Sequence, residues 1–372
     1  MTAVGSSKSV SDREVFQMIV LLQQGGLFWM LPVLLIQENG TAGLLAIVPG
    51  LAVGILILLV CTFWRNRCEE TSFPQSLQML LGKPAGMVTT FLFLLLYLLF
   101  AVFCLSSFVE VVHTGILKET PRILLLLPVF LLAGWLAWNG LEDIARFTVL
   151  AAVLAVLLLF LTVTGSIGSF QMKNLLPLQI HSPEKLIQSI GYSSFSYSMF
   201  LVMFMVYPSL PQKKGIAWQM PLAAALSAAL FLLWVLLALG VFGQFSMEQL
   251  IWLPLELARM IQVSAFLERT EALFIAIWLP VVLANSGLLL WAASEAAHQL
   301  LHRQKSRWLH WGMVAIAAVF SIAIGNLLQL FYLEQALAAI IAGFVPLLLL
   351  AILAATLLYS RKKAGRKGGQ PS

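Results

Sequence analysis

Two stretches of small and hydroxyl-bearing residues interrupt a chain that is otherwise apolar for long distances, and any chemistry it performs has to be sought there. Gln23, Gln24, Gly25 and Gly26 stand between the apolar halves 15–22 and 27–36. Gly191, Tyr192, Ser193, Ser194, Phe195, Ser196, Tyr197 and Ser198 precede the apolar run 199–206, which Pro208 closes. Adjacent glycines make a continuous helix costly. In hydrocarbon an unwound backbone survives only where protein or a water-filled cavity satisfies it, so both breaks are expected to point inward. Beyond a break, free N–H groups suit a carboxylate; before it, free carbonyls suit an ammonium or another cation. A zwitterionic amino acid matches that pair of ends. The competing explanation is that the glycines only allow close helix packing and the serines bond to their own helix. It suits either break alone better than the two together.

The elements that must hold these breaks are membrane helices. Of the 372 residues, 60% are hydrophobic and 10% charged, against about 45–50% and about 25% in soluble domains. A soluble fold is excluded, and the long unalternating apolar runs 91–109 and 148–163 exclude a β-barrel. Ten spans are expected, at 13–37, 43–64, 84–110, 121–138, 145–167, 184–208, 217–243, 270–298, 310–328 and 336–359. The first helix of each five-helix half is then broken at similar depth. That is the pattern of an inverted-repeat transporter fold with its site near the midplane. The chain divides into a tail (1–12), a first repeat (13–167), a second repeat (184–359) and a basic tail (361–372). The first dozen residues lack a signal-peptide pattern, so the first span is expected to be retained. On these boundaries 16 of the 22 lysines and arginines face the side of the termini, which places both termini in the cytoplasm.

Other classes of function find little footing. The net charge of +6 owes much to Arg361, Lys362, Lys363, Arg366 and Lys367, so a membrane-surface anchor explains it without nucleic acid. No HExxH, phosphate-binding loop, CxxC or GxSxG occurs, and neither an enzyme nor a cofactor is expected. Cys61, Cys68 and Cys104 lack metal spacing, and the histidines at 113, 181, 298, 302 and 310 fall near loops and span ends, where interfacial roles are expected.

Facing the breaks, span three offers Tyr97, Phe100 and Cys104, and span eight offers Asn285 and Ser286 at its centre. Asn285 suits either a ligand contact or an interhelical hydrogen bond, and the aromatics suit either a pocket wall or plain packing. Gly50 and Gly54 form a GxxxG that favours close helix approach. Glu256, Arg259, Glu268, Arg269 and Glu271 belong to an external segment that reads as a lid, a partner surface or a short amphipathic helix. Glu142, Asp143 and Arg146 are expected to fix a helix junction, and Glu110 to snorkel from the outer end of span three. No span carries a deep ionisable residue, though Glu295 comes close to one end. This favours a receptor over a proton symporter and leaves a sodium site open.

Several loop segments are more particular. They are Asn139-Gly140-Leu141-Glu142-Asp143-Ile144-Ala145-Arg146, Asn174-Leu175-Leu176-Pro177-Leu178, Leu253-Pro254-Leu255-Glu256-Leu257-Ala258-Arg259 and Phe266-Leu267-Glu268-Arg269-Thr270-Glu271, with Trp278 beyond and Thr120-Pro121 opening span four. In these segments the chain resembles the B-subunit family of bacterial spore-germination receptors, which is similar to the amino acid/polyamine/organocation transporters. The resemblance runs from Ser11 to about residue 360. It implies a ten-helix subunit of LeuT-like fold in the spore inner membrane, sensing a germinant, often an amino acid. It also implies partners of A type and lipoprotein C type. Two alternatives stay open: a secondary amino-acid transporter of the same fold, and a scaffolding subunit with a vestigial pocket.

Overall fold

The computed structural model describes residues 10–25, 31–68, 72–176, 182–210, 216–250, 252–260 and 270–367. Its helices are α1 (Asp12–Gln24), α2 (Leu31–Asn39), α3 (Ile47–Arg65), α4 (Phe73–Leu81), α5 (Lys83–Gly115), α6 (Arg122–Asn139) and α7 (Leu141–Ser166). They continue with α8 (Pro183–Tyr197), α9 (Met203–Val206), α10 (Ile216–Met247), α11 (Leu253–Arg259), α12 (Thr270–Leu300), α13 (Arg307–Ala323) and α14 (Leu327–Lys367). No strand occurs among the described residues. Eight helical stretches among them are long and apolar enough to cross a bilayer, and α13, at 17 residues, is a shorter apolar helix.

The central pair is α5 and α12, with α6 and α7 packed on α12, α3 on α8, and α1 on α10 and α7. An aromatic group seals one part of this core: Phe73, Phe93 and Trp64 surround Phe204 at centroid distances of 4.7, 5.9 and 5.8 Å. The outward faces are apolar too. Trp135 on α6 and Phe160 on α7 are 59% and 63% exposed, an arrangement that suits acyl chains and not water.

Gly140, at φ 105°, adopts a conformation that residues with a Cβ rarely take, and α7 starts directly after it. The helix therefore begins before the expected residue 145 and takes Glu142 and Asp143 into its first turn, the positive end of its dipole. Arg146 lies 3.7 Å from Glu142 and 3.9 Å from Asp143, pairs that are half exposed and weak. Their position is that of a helix junction. Between spans two and three the structure adds α4, which the sequence analysis did not anticipate. Its Ser76 hydroxyl accepts a 2.9 Å bond from Trp64 Nε1.

Three expectations about polar residues are corrected. Glu110 does not snorkel: it is 2% exposed and ion-paired with Arg122. The reason is that α5 runs on to Gly115, so the carboxylate sits inside a packed helix and needs a charged partner. Gly325, at φ 68°, ends α13 early, and α14 then runs unbroken from Leu327. This places Glu334, expected in a loop, inside the last long helix at 2% exposure. One carboxylate in a helix costs less than a row of unsatisfied peptide groups in hydrocarbon. His310 and His298 are buried where interfacial positions were expected, because α13 starts at Arg307. Ser294 Oγ and the Gly134 carbonyl meet the two His310 nitrogens at 2.9 and 2.8 Å. Cys61, Cys68 and Cys104 are buried, and His181 lies outside the described residues.

The segment between α10 and α12 packs instead of merely lying on the surface. Leu253, Leu255 and Leu257 of α11 are buried. Trp252 Nε1 donates to Thr114 Oγ1 at 2.8 Å and Arg259 Nη2 to the Gly115 carbonyl at 3.0 Å, pinning α11 to the end of α5. Arg259 also pairs with Glu256 at 2.6 Å and Glu271 at 3.4 Å. Glu268 and Arg269 lie outside the described residues.

Candidate functional site

The first break is where the sequence places it. α1 stops at Gln24 and Gly25 is a turn residue; Gly26 lies outside the described residues, and α2 takes up the chain at Leu31. Three carbonyls near the end of α1, expected to be bare, receive side-chain donors. Asn285 Nδ2 donates to the Leu21 and Leu22 carbonyls at 2.7 and 3.3 Å. Ser227 Oγ lies 2.9 Å from the Val20 carbonyl and 3.1 Å from Gln23 Oε1, and Gln24 Nε2 donates back to the Ser227 carbonyl at 3.1 Å. Bare carbonyls in a dry interior are costly, so neighbouring helices supply donors. Gly25 makes the approach possible, because a Cβ there would collide with the Asn285 carboxamide.

The second break differs from its expected form. The hydroxyl-rich stretch is helical through Tyr197, and the winding tightens only from Ser198 to Val202, a 3₁₀ segment. Ser198 Oγ donates to the Ser194 carbonyl at 2.8 Å, and the Ser198 N–H is bonded within α8. A serine that serves its own helix, followed by tightened i to i+3 bonds, changes the winding without freeing backbone groups. Side chains, not free N–H groups, are therefore what α8 offers. Its approach to α3 is close. A Cβ on Gly50 would strike Ser193 Oγ, and one on Gly54 would lie 3.0 Å from Tyr197 and 3.1 Å from Phe200. The GxxxG thus works inside the bundle.

Between these breaks lies an unusual concentration of unused hydrogen-bonding capacity. Ser193 Oγ and Ser196 Oγ are buried without a hydrogen-bond partner, the Gln23 carboxamide nitrogen and the Tyr197 hydroxyl have none but each other, and the four residues are 0% exposed. Around them, Phe195 packs on Phe100 and Phe103 at 5.6 and 6.0 Å. Cys104 sits beside Ser286, whose hydroxyl donates to the Val282 carbonyl at 2.7 Å. Tyr97 is a strut: its hydroxyl donates to the Leu201 carbonyl in the 3₁₀ segment at 3.1 Å. Tyr97→Phe is expected to destabilise the chain by about 1 kcal/mol, the net value of one buried hydrogen bond, read as a lower thermal midpoint in detergent.

The structure brings Gln23 beside Tyr197, Asn285 to the end of α1, Phe100 onto Phe195 and Cys104 beside Ser286, while the Ser193 hydroxyl lies against Gly50 of α3. One participant was missed: Ser227 is a lone hydroxyl in the apolar run 217–243, a signal available in the sequence. A groove of about 360 Å³ between α5, α13 and α14 contains none of the polar candidates and is lined by residues such as Leu95, Leu99, Phe320 and Ile340. Its lining matches hydrocarbon, and it belongs to the lipid-facing surface.

A model of the spore permease family, described as spore germination protein, matches residues 9–327. The chain belongs to this family. Among the relatives of this spore germination protein, YndE of Bacillus subtilis is 19% identical over 320 residues, covering 85% of this chain and 88% of that protein. GerQB of Bacillus cereus is 22% identical over 293 residues, covering 78% and 80%. Spore germination protein KB of Bacillus subtilis is 24% identical over 280 residues, covering 71% of each. The solved structure of MhsT in complex with L-phenylalanine superposes with a TM-score of 0.66 at 14% identity, covering 96% of this chain and 93% of MhsT. At that identity the likeness speaks for fold alone. The spore germination protein is an integral membrane helical bundle of the LeuT-like, inverted-repeat type, germinant-receptor-like in family and transporter-like in architecture.

Proposed function

We propose that this subunit binds a small solute carrying a carboxylate, an amino acid foremost, between α1, α5, α8 and α12, and passes the occupancy to partner subunits of A type and lipoprotein C type. The observation that carries this is the buried polar set on α1 and α8, in which Ser193 Oγ and Ser196 Oγ have no partner and Gln23 and Tyr197 have only each other. Gln23 Nε2 can only donate, and three hydroxyls can donate, so the set fits an acceptor-rich group. Each unsatisfied buried group costs about 1–3 kcal/mol, a cost that a bound carboxylate relieves. MhsT, which shares the fold, holds L-phenylalanine in its solved structure. Because Gln23, Ser193, Ser196 and Tyr197 are fully buried, a solute enters only when α1 and α8 part. Occupancy then favours one helix arrangement over another through its differential affinity for the two. In this reading the α1–α2 pair and α13 complete ten crossings of the spore inner membrane, with both termini cytoplasmic. No covalent step is involved.

A screen of amino acids, nucleosides and sugars on spores whose receptor carries this subunit tests the proposal. Response to sugars alone, with none to any carboxylated solute, overturns it. A sharper expectation concerns Ser193→Ala and Ser196→Ala. Removing an unsatisfied hydroxyl leaves the thermal midpoint unchanged or raised, while the solute concentration for half-maximal response rises about tenfold, roughly 1.4 kcal/mol. A lowered midpoint accompanying the raised half-maximal concentration would point to a structural role.

Glu334 favours a second reading, that of a carrier, since proton-coupled transport needs a carboxylate within the membrane. Proteoliposomes containing this chain alone separate the two: accumulation of labelled amino acid against a gradient establishes a carrier.

A further inference from the structure

The end of α1 is the kind of place where transporters of this architecture hold a coupling cation, because carbonyls at a helix C-terminus converge with partial negative charge. Here the carbonyls of Val20, Leu21 and Leu22 are taken by the Ser227 hydroxyl and the Asn285 carboxamide. Gly25 leaves the carboxamide its room. We propose that Asn285 stands permanently in place of a coupling cation, so that this subunit reads its solute without sodium.

The physical difference lies in the tether. A cation that binds and leaves gives the two helix arrangements different ion affinities, and only such a difference couples a conformational change to an ion gradient. An amide fixed to α12 neutralises the same carbonyl dipoles in every cycle without exchanging with solvent. It needs no net charge to do so: two N–H bonds point at two oxygens, with Ser227 serving the third. The inference deepens the receptor reading and rests on it. Its cation readout requires no germinant, so the two can fail separately.

The test is a sodium titration of the thermal midpoint of the purified full-length chain, with choline chloride holding ionic strength constant. The native chain is expected to show no saturable shift. Asn285→Asp replaces the donating nitrogen by a third oxygen facing the Leu21 and Leu22 carbonyls, and is expected to gain a saturable sodium-dependent rise of at least about 2 °C. Asn285→Ala lowers the midpoint equally in both salts. A saturable sodium shift in the native chain, lost in Asn285→Ala, would overturn the proposal and make Asn285 a sodium ligand. Should Asn285→Asp not fold, the native titration alone decides.

Discussion

Replacing Gly25 by valine is expected to raise the solute concentration for half-maximal response at least tenfold, about 1.4 kcal/mol, in an assembled receptor of normal abundance. Any Cβ at this position falls on the Asn285 carboxamide. Either Asn285 withdraws from the Leu21 and Leu22 carbonyls, or the end of α1 moves away from α12. The first leaves buried carbonyls without donors; the second displaces Gln23, whose Nε2 belongs to the proposed site. The measurement is a dose response of spores carrying the exchanged subunit, with its amount followed by immunoblot. An unchanged response at unchanged abundance would mean that the first break does not take part in sensing, and would favour a scaffold with a vestigial pocket.

The largest effect on stability is expected where the end of α5 meets the start of α6. Glu110 is 2% exposed and its counter-ion Arg122 also donates to the Ser321 carbonyl of α13 at 3.0 Å. Next to it, Ser321 Oγ lies 2.6 Å from Ser106 Oγ, so α5, α6 and α13 meet at one polar knot. Arg122→Ala leaves a carboxylate buried without its charge partner, and about 3–5 kcal/mol of destabilisation is expected. The double replacement of Glu110 by Gln and Arg122 by Met removes both charges and is expected to recover much of that loss, since a buried pair contributes little beyond compensating its own desolvation. Thermal unfolding of the single and double variants in detergent measures both. A single variant within about 1 kcal/mol of the native chain would show that water reaches Glu110.

What could be read from the chain, and what could not, divides along a physical line. The transporter-like helical bundle was legible because bilayer hydropathy is a local property, and each apolar run states its own case. The first break was legible for the same reason: Gly25 stops α1 by its own conformational cost. The form of the second break was not. Gly191 to Ser198, with six hydroxyl-bearing residues among eight, look unwound on paper, yet the stretch is helical through Tyr197, and the Ser198 hydroxyl and a 3₁₀ tightening keep its end bonded. Glu334 fell between the expected spans 310–328 and 336–359; Gly325 ends α13 early, and α14, starting at Leu327, takes the carboxylate into the last helix.

By itself, then, the sequence determined the solvent the protein lives in, the helical bundle, the family, and the two places where regular helix gives way. Only the tertiary structure decided which polar groups are spent and which are free. Asn285 meets the Leu21 carbonyl across 264 positions and Ser227 meets Val20 across 207. The under-used polar groups of the proposed site, Gln23, Ser193, Ser196 and Tyr197, are what those long-range matches leave there. Hydropathy is set residue by residue along the chain, whereas hydrogen-bond satisfaction is set by whichever helix the bundle brings alongside.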